Sequence, residues 1–109
     1  MASSFTLKKG ARQPVLKAQL LDSADVAVDL TGATVRFRMR ARDGNALKVD
    51  VAAAVTNALE GRVEYAWGAT DTDTAGFFLG EFELTHADTT KQVVPSGGYV
   101  LVEVVGVLP

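Results

Sequence analysis

Ala33-Thr34-Val35-Arg36-Phe37-Arg38-Met39-Arg40 alternates apolar and polar side chains without a break. A period of two puts Val35, Phe37 and Met39 on one face of an extended chain and Arg36, Arg38 and Arg40 on the other, the pattern of a strand with one buried side. Asp43-Gly44-Asn45 comes next. Gly and Asn accept the positive φ of a tight turn, so the chain returns over Ala46 to Asp50 as a hairpin.

The same alternation recurs on either side of this hairpin. Leu16, Ala18 and Leu20 alternate with Lys17 and Gln19, predicting a strand over 15–21 that ends at the turn Asp22-Ser23-Ala24-Asp25. Val28-Asp29-Leu30 is a short extended piece before Thr31-Gly32. Val63, Tyr65 and Trp67 face inward from 62–67, with Trp67 as a core anchor. Phe78, Gly80, Phe82 and Leu84 do the same from their own strand, while Glu81 and Glu83 face out. Lys91 to Val94 and Tyr99 to Val105 follow, separated by Pro95-Ser96-Gly97-Gly98. The segment 51–59 is compatible with a helix, through Val51, Val55 and Leu59 at i, i+4 and i+8, or with a short edge strand, the preferred reading.

Evenly spaced short strands with no long helix between them predict an all-β domain of about seven strands, built as antiparallel sheets packed face to face. The chain has 109 residues, enough for one domain, so 1–109 is expected to form a single unit with 1–10 as an N-terminal arm. A domain of this size gains stability by packing against neighbours.

Composition excludes several functions. There is no cysteine, which removes disulfides, thiolate zinc sites and cysteine nucleophiles. The 11 Lys+Arg and 13 Asp+Glu leave a formal charge of −2, which gives no long-range pull toward nucleic acid or an anionic membrane. The first ten residues lack the pattern of a secretory signal, and no apolar run approaches the ~20 residues that cross a bilayer. A soluble protein with neither nucleic-acid nor membrane partners is expected.

Four blocks carry a resemblance: Val28-Asp29-Leu30-Thr31-Gly32-Ala33-Thr34-Val35-Arg36-Phe37, the Asp43-Gly44 hairpin, Gly61-Arg62-Val63-Glu64-Tyr65, and Gly76-Phe77-Phe78-Leu79-Gly80-Glu81-Phe82-Glu83-Leu84. In this order and spacing they resemble the immunoglobulin-like N-terminal domain of phage baseplate upper proteins, from about Phe5 to about Val104. The resemblance implies an immunoglobulin-like antiparallel β-sandwich in a virion, assembled in the host cytoplasm, with no catalytic residues. Larger members carry a helical or receptor-binding extension that the sequence ending at Pro109 lacks. The expected role is therefore a baseplate or tail adapter docking other virion subunits in several copies. A capsid decoration or head-tail connector protein is the alternative within that class, and a carbohydrate-binding module for host-surface recognition is the alternative outside it.

No residues are assigned to catalysis, metal or cofactor. Asp71-Thr72-Asp73-Thr74-Ala75-Gly76 begins like a calcium loop but puts Phe82 where the twelfth position needs a carboxylate, so a turn cap is expected. His86 has only Asp88 as a local co-ligand. Ser3, Ser4, Ser23 and Ser96 lack a nucleophile elbow. Arg36, Arg38 and Arg40 lie about 6.6–6.8 Å apart along their strand and could track phosphates. No aromatic shares their own strand face, so a solvated or intersubunit face is preferred, and the immunoglobulin-like sheet that the resemblance implies would bring Glu64 across to pair with Arg38. The residues expected to dock partners are apolar ones without an evident core to join. They are Phe77 and Leu79 on the outer face of their strand, Val105, Val107 and Leu108 at the two-sided apolar terminus, and Phe5 and Leu7, available to a neighbour's sheet edge. The three arginines complete this set.

Overall fold

Alternating strands are stable only when their apolar faces meet, and the computed structural model, which describes residues 3–95 and 97–108, shows how this chain achieves that. Met1, Ala2, Ser96 and Pro109 lie outside the described residues, so Ser96 of the expected turn and the first residues of the expected arm are not placed. The strands are β1 (Ser3–Lys8), β2 (Leu16–Gln19), β3 (Thr34–Ala41), β4 (Leu47–Asn57), β5 (Arg62–Tyr65), β6 (Gly76–Thr85), β7 (Lys91–Val94) and β8 (Val100–Val105). Among the described residues there is no helix, and so none long and apolar enough to cross a membrane.

All eight strands belong to one hydrogen-bonded path, β1-β8-β6-β3-β4-β5-β2, with β7 paired to β6 beyond the end of β8. The path turns over at β4. Its first half, through Ala53, pairs with β3, and its second half, from Ala54, pairs with β5. Side chains of β2 and β5 thereby share one core with those of β3, β6 and β8. Phe37 of β3 packs against Tyr65 at 4.8 Å between ring centroids and meets Trp67 edge-on at 5.9 Å, while Phe82 of β6 joins it at 5.2 Å. Aromatic pairs at these separations add about 0.5–1.5 kcal/mol each beyond the area they bury. Trp67 is buried, and its indole N–H finds the Pro14 carbonyl at 3.1 Å.

Several expectations change. The described residues form eight strands rather than about seven, because Ser3–Lys8 is itself a strand, and it pairs parallel to β8 within an otherwise antiparallel arrangement. The arm expected over 1–10 is thus largely part of the chain's own sheet. Residues 46–50 and 51–59 do not form separate elements: one strand spans Leu47–Asn57, and it is interior, with β3 on one side and β5 on the other. The helical spacing of Val51, Val55 and Leu59 is coincidental, since long-range pairing on both edges outweighs a local i, i+4 pattern. Val28-Asp29-Leu30 is not a strand. Leu30 is buried, and the Asp29 carboxylate accepts both the Thr31 N–H and the Thr31 hydroxyl, closing a local turn. Those two bonds hold the Asp29 carboxyl below its usual range.

Candidate functional site

The residues expected to dock partners fall into three places. Leu7 is 5% exposed and belongs to the core, and Phe5 is half-buried at 5.9 Å from Trp67, so the register of β1 on β8 directs both inward. The structure gives Leu7 to this chain's own sheet and not to a neighbour's edge. Val107 and Leu108 lie beyond the end of β8 and are exposed, Leu108 at 91%, while Val105 is half-buried on β8. Phe77, Leu79, Arg36, Arg38 and Arg40 come together on one surface, the outer face of β8, β6 and β3.

Register defines that surface. Glu103 of β8 lies beside Phe77 of β6, and Leu101 lies beside Leu79, which in turn neighbours Arg40 of β3. Glu81 then neighbours Arg38, and Glu83 neighbours Arg36. On the far side of β3, Asp50 of β4 sits opposite Arg38. The surface has two ends of different character.

At one end the arginines are neutralised. The Arg36 Nε donates to Asp50 at 2.9 Å, and Arg38 Nη1 donates to Glu83 at 3.1 Å. Arg38 Nε is 3.8 Å from the same Asp50 carboxylate, an ion-pair distance too long for a hydrogen bond, so this buried nitrogen has no hydrogen-bond partner. Arg38 does not meet Glu64, which faces Lys17 of β2 across the other wing. The reason is topological: β3 is flanked by β4 and β6, not by β5. Half-exposed ion pairs of this kind contribute about 0–1 kcal/mol.

At the other end the arginines have no carboxylate. Arg40 Nη1 donates to the carbonyls of Ala41, Arg42 and Gly44, which fixes it against the hairpin, and its guanidinium lies 5.9 Å from the Tyr99 ring centroid. Arg42 sits closer, 4.5 Å over Phe77. Both rings are partly exposed, Phe77 at 39% and Tyr99 at 44%, and Leu47 of β4, paired opposite Arg40, is exposed at 45%. Sequence alternation places the aromatics of β3 inward and so misses this cluster, because its rings come from β6 and from the residue before β8. The signal available was the apolar pair Phe77 and Leu79 on an outward register.

Other sequence candidates have structural partners. The Asp71 carboxylate accepts the Tyr65 hydroxyl and, at 2.7 Å, the Gly68 N–H; Thr72 is buried and donates to the Ala11 carbonyl at 2.8 Å. Burial, then the bond and charge of Asp71, push the Tyr65 hydroxyl well above its usual pKa. Asp73 bonds Lys48 at 2.7 Å, which lowers its carboxyl pKa. His86 Nε2 meets the Gln92 side chain at 3.0 Å. A groove of about 560 Å³ opens between β2 and the β7–β8 turn, over Phe5, Leu16 and Val100. Two of its polar side chains are engaged locally: Asp22 accepts the N–H groups of Ala24 and Val26, and Gln19 donates to the Glu60 carbonyl. Trp67 and Tyr65 are buried and offer no ring to a sugar.

Scans against protein families and against curated proteins return no match for this chain.

Proposed function

We propose that this chain is a structural docking domain of a phage virion, an immunoglobulin-like sandwich that acts as a baseplate or tail adapter in several copies. The strand pairings support the fold reading. β2 beside β5, and β3 beside β6 beside β8, correspond to the B–E and C–F–G neighbours of an immunoglobulin-type sandwich, with β4 crossing between layers. The block resemblance supports the virion reading.

One observation carries the docking role: an outer sheet face that should be solvated instead presents Phe77, Tyr99 and Leu47 with two guanidinium groups stacked among them. Aromatic residues and arginine are the side chains most enriched where protein surfaces meet. The test is the composition of purified particles of the phage that encodes the chain. Mass spectrometry is expected to find it among the virion proteins in multiple copies, and its absence from particles overturns the reading.

A further inference from the structure

The hydrogen-bonded path has two ends, β1 and β2, and both reach the groove of about 560 Å³: Ser4 and Phe5 line it from β1, and all four residues of β2 line it from the other end. Leu16, Phe82 and Val100 make much of the remaining lining apolar. The β2 side offers backbone as well. Leu20, directly after β2, donates its N–H to the Gly61 carbonyl at 2.7 Å, and the same register continues through Ala18↔Val63 and Leu16↔Tyr65. Along an antiparallel strand, successive residues bond alternately toward the partner and away from it. The backbone N–H and C=O groups of Lys17 and Gln19 therefore point away from β5, where no strand pairs with β2 among the described residues. Two donors and two acceptors left open beside an apolar groove are what an extended polypeptide completes, with main-chain bonds to the edge and alternate side chains in the groove.

The side chains of β2 set the chemistry of that segment. Ala18 is half-buried and packs on the core, between Leu16 and Leu20, which are buried, so residues opposite these three are apolar. Lys17 is exposed and stands in register with Glu64, yet no carboxylate lies within ion-pair distance of its ammonium among the described residues. A lysine on an edge discourages pairing with most strands, and a carboxylate directly opposite turns the same charge into an attraction. We propose that β2 receives an extended segment of another polypeptide, antiparallel to it, with apolar side chains opposite Leu16, Ala18 and Leu20 and an acidic side chain opposite Lys17. This edge is separate from the outer face of β8, β6 and β3, and the inference does not depend on the virion reading.

The experiment is amide hydrogen exchange of the full chain, followed by NMR, with the blocked peptide Val-Thr-Val-Glu-Val as probe. In the chain alone, the amides of Lys17 and Gln19 are expected to exchange freely while those of Ala18 and Leu20 are protected. Saturating peptide is expected to slow Lys17 and Gln19 by about ten-fold or more. Gln19→Pro removes one outward donor and leaves the bonds to β5 in place, so it is expected to weaken the peptide about ten-fold with Ala18 and Leu20 still protected. Lys17→Glu is expected to reject this probe and take Val-Thr-Val-Lys-Val instead, an exchange of preference that a misfolded variant cannot give. Lys17 and Gln19 amides already protected in the chain alone, or unprotected at saturating peptide, overturn the proposal, as does a Lys17→Glu variant with unchanged preference. Protection that rises with the concentration of the chain itself, without peptide, gives the edge to a second copy and overturns it too.

Discussion

The ring of Phe37 lies 2.9 Å from the point where a Cβ on Gly80 would stand, so the absence of a side chain on β6 is what lets the central aromatic of β3 lie flat against the neighbouring strand. Phe37 is fully buried and packed between Tyr65 and Phe82, and no flexible chain end is available to yield. Gly80→Ala is therefore expected to destabilise the domain by about 1–3 kcal/mol through overpacking. Urea denaturation of the variant measures it, and a change below about 0.5 kcal/mol would mean that the ring moves freely.

Leu7 decides whether the N-terminal strand belongs to this chain. It is buried on a strand whose parallel pairing runs from Ser3↔Val100 to Lys8↔Val105. Leu7→Ala is expected to cost about 2–5 kcal/mol in the isolated protein. Were the segment an arm that orders only on a neighbour, the midpoint of unfolding would not shift.

Tyr65 links stability to alkaline pH. Its folded pKa is raised above the ordinary 10.0, chiefly by burial and then by the Asp71 carboxylate. A raised pKa means that the folded state keeps a proton the unfolded state releases. The contribution of Tyr65 is thus complete below about pH 10 and is lost as pH climbs toward the folded pKa. Tyr65→Phe leaves the buried Asp71 with one donor fewer and is expected to cost about 1–3 kcal/mol near neutrality. The same variant loses stability less steeply above pH 10 than the parent. Parallel slopes for the two proteins would show that Tyr65 does not titrate with unfolding.

Trp67 reports on the meeting of the two wings. With its ring buried and its N–H bonded to the Pro14 carbonyl, its emission is expected to be blue-shifted and poorly quenched by iodide. Saccharides are expected to leave it unchanged. A sugar-dependent shift would transfer support to a carbohydrate-binding role.

What alternation can encode was legible: the inward set of β3, β5 and β6 follows from side-chain period alone, whereas β8, apolar on both faces, offers no such signal. Pairing partners were not. The pairing of Arg38 with Glu64 assumes that β3 lies beside β5, which sequence cannot test for strands far apart in the chain; β3 lies between β4 and β6, and Arg38 meets Asp50 and Glu83 instead. Leu7 and the parallel β1 were missed because the polar residues on either side leave a short, weak pattern. The docking face was half legible, since Phe77 and Leu79 stand out on an outward register, whereas Tyr99 and Arg42 reach it only through the fold.

On the docking role proposed above, β6 presents the surface by which this domain is held among its neighbours. Hydroxyl-radical footprinting of the chain, free and then in assembled particles, tests it most directly. Phe77, Leu79 and Tyr99 are expected to lose reactivity on assembly while exposed Val26 and Leu59 keep theirs. Unchanged labelling of Phe77 and Tyr99, with protection moved to Val26 and Leu59, would contradict it.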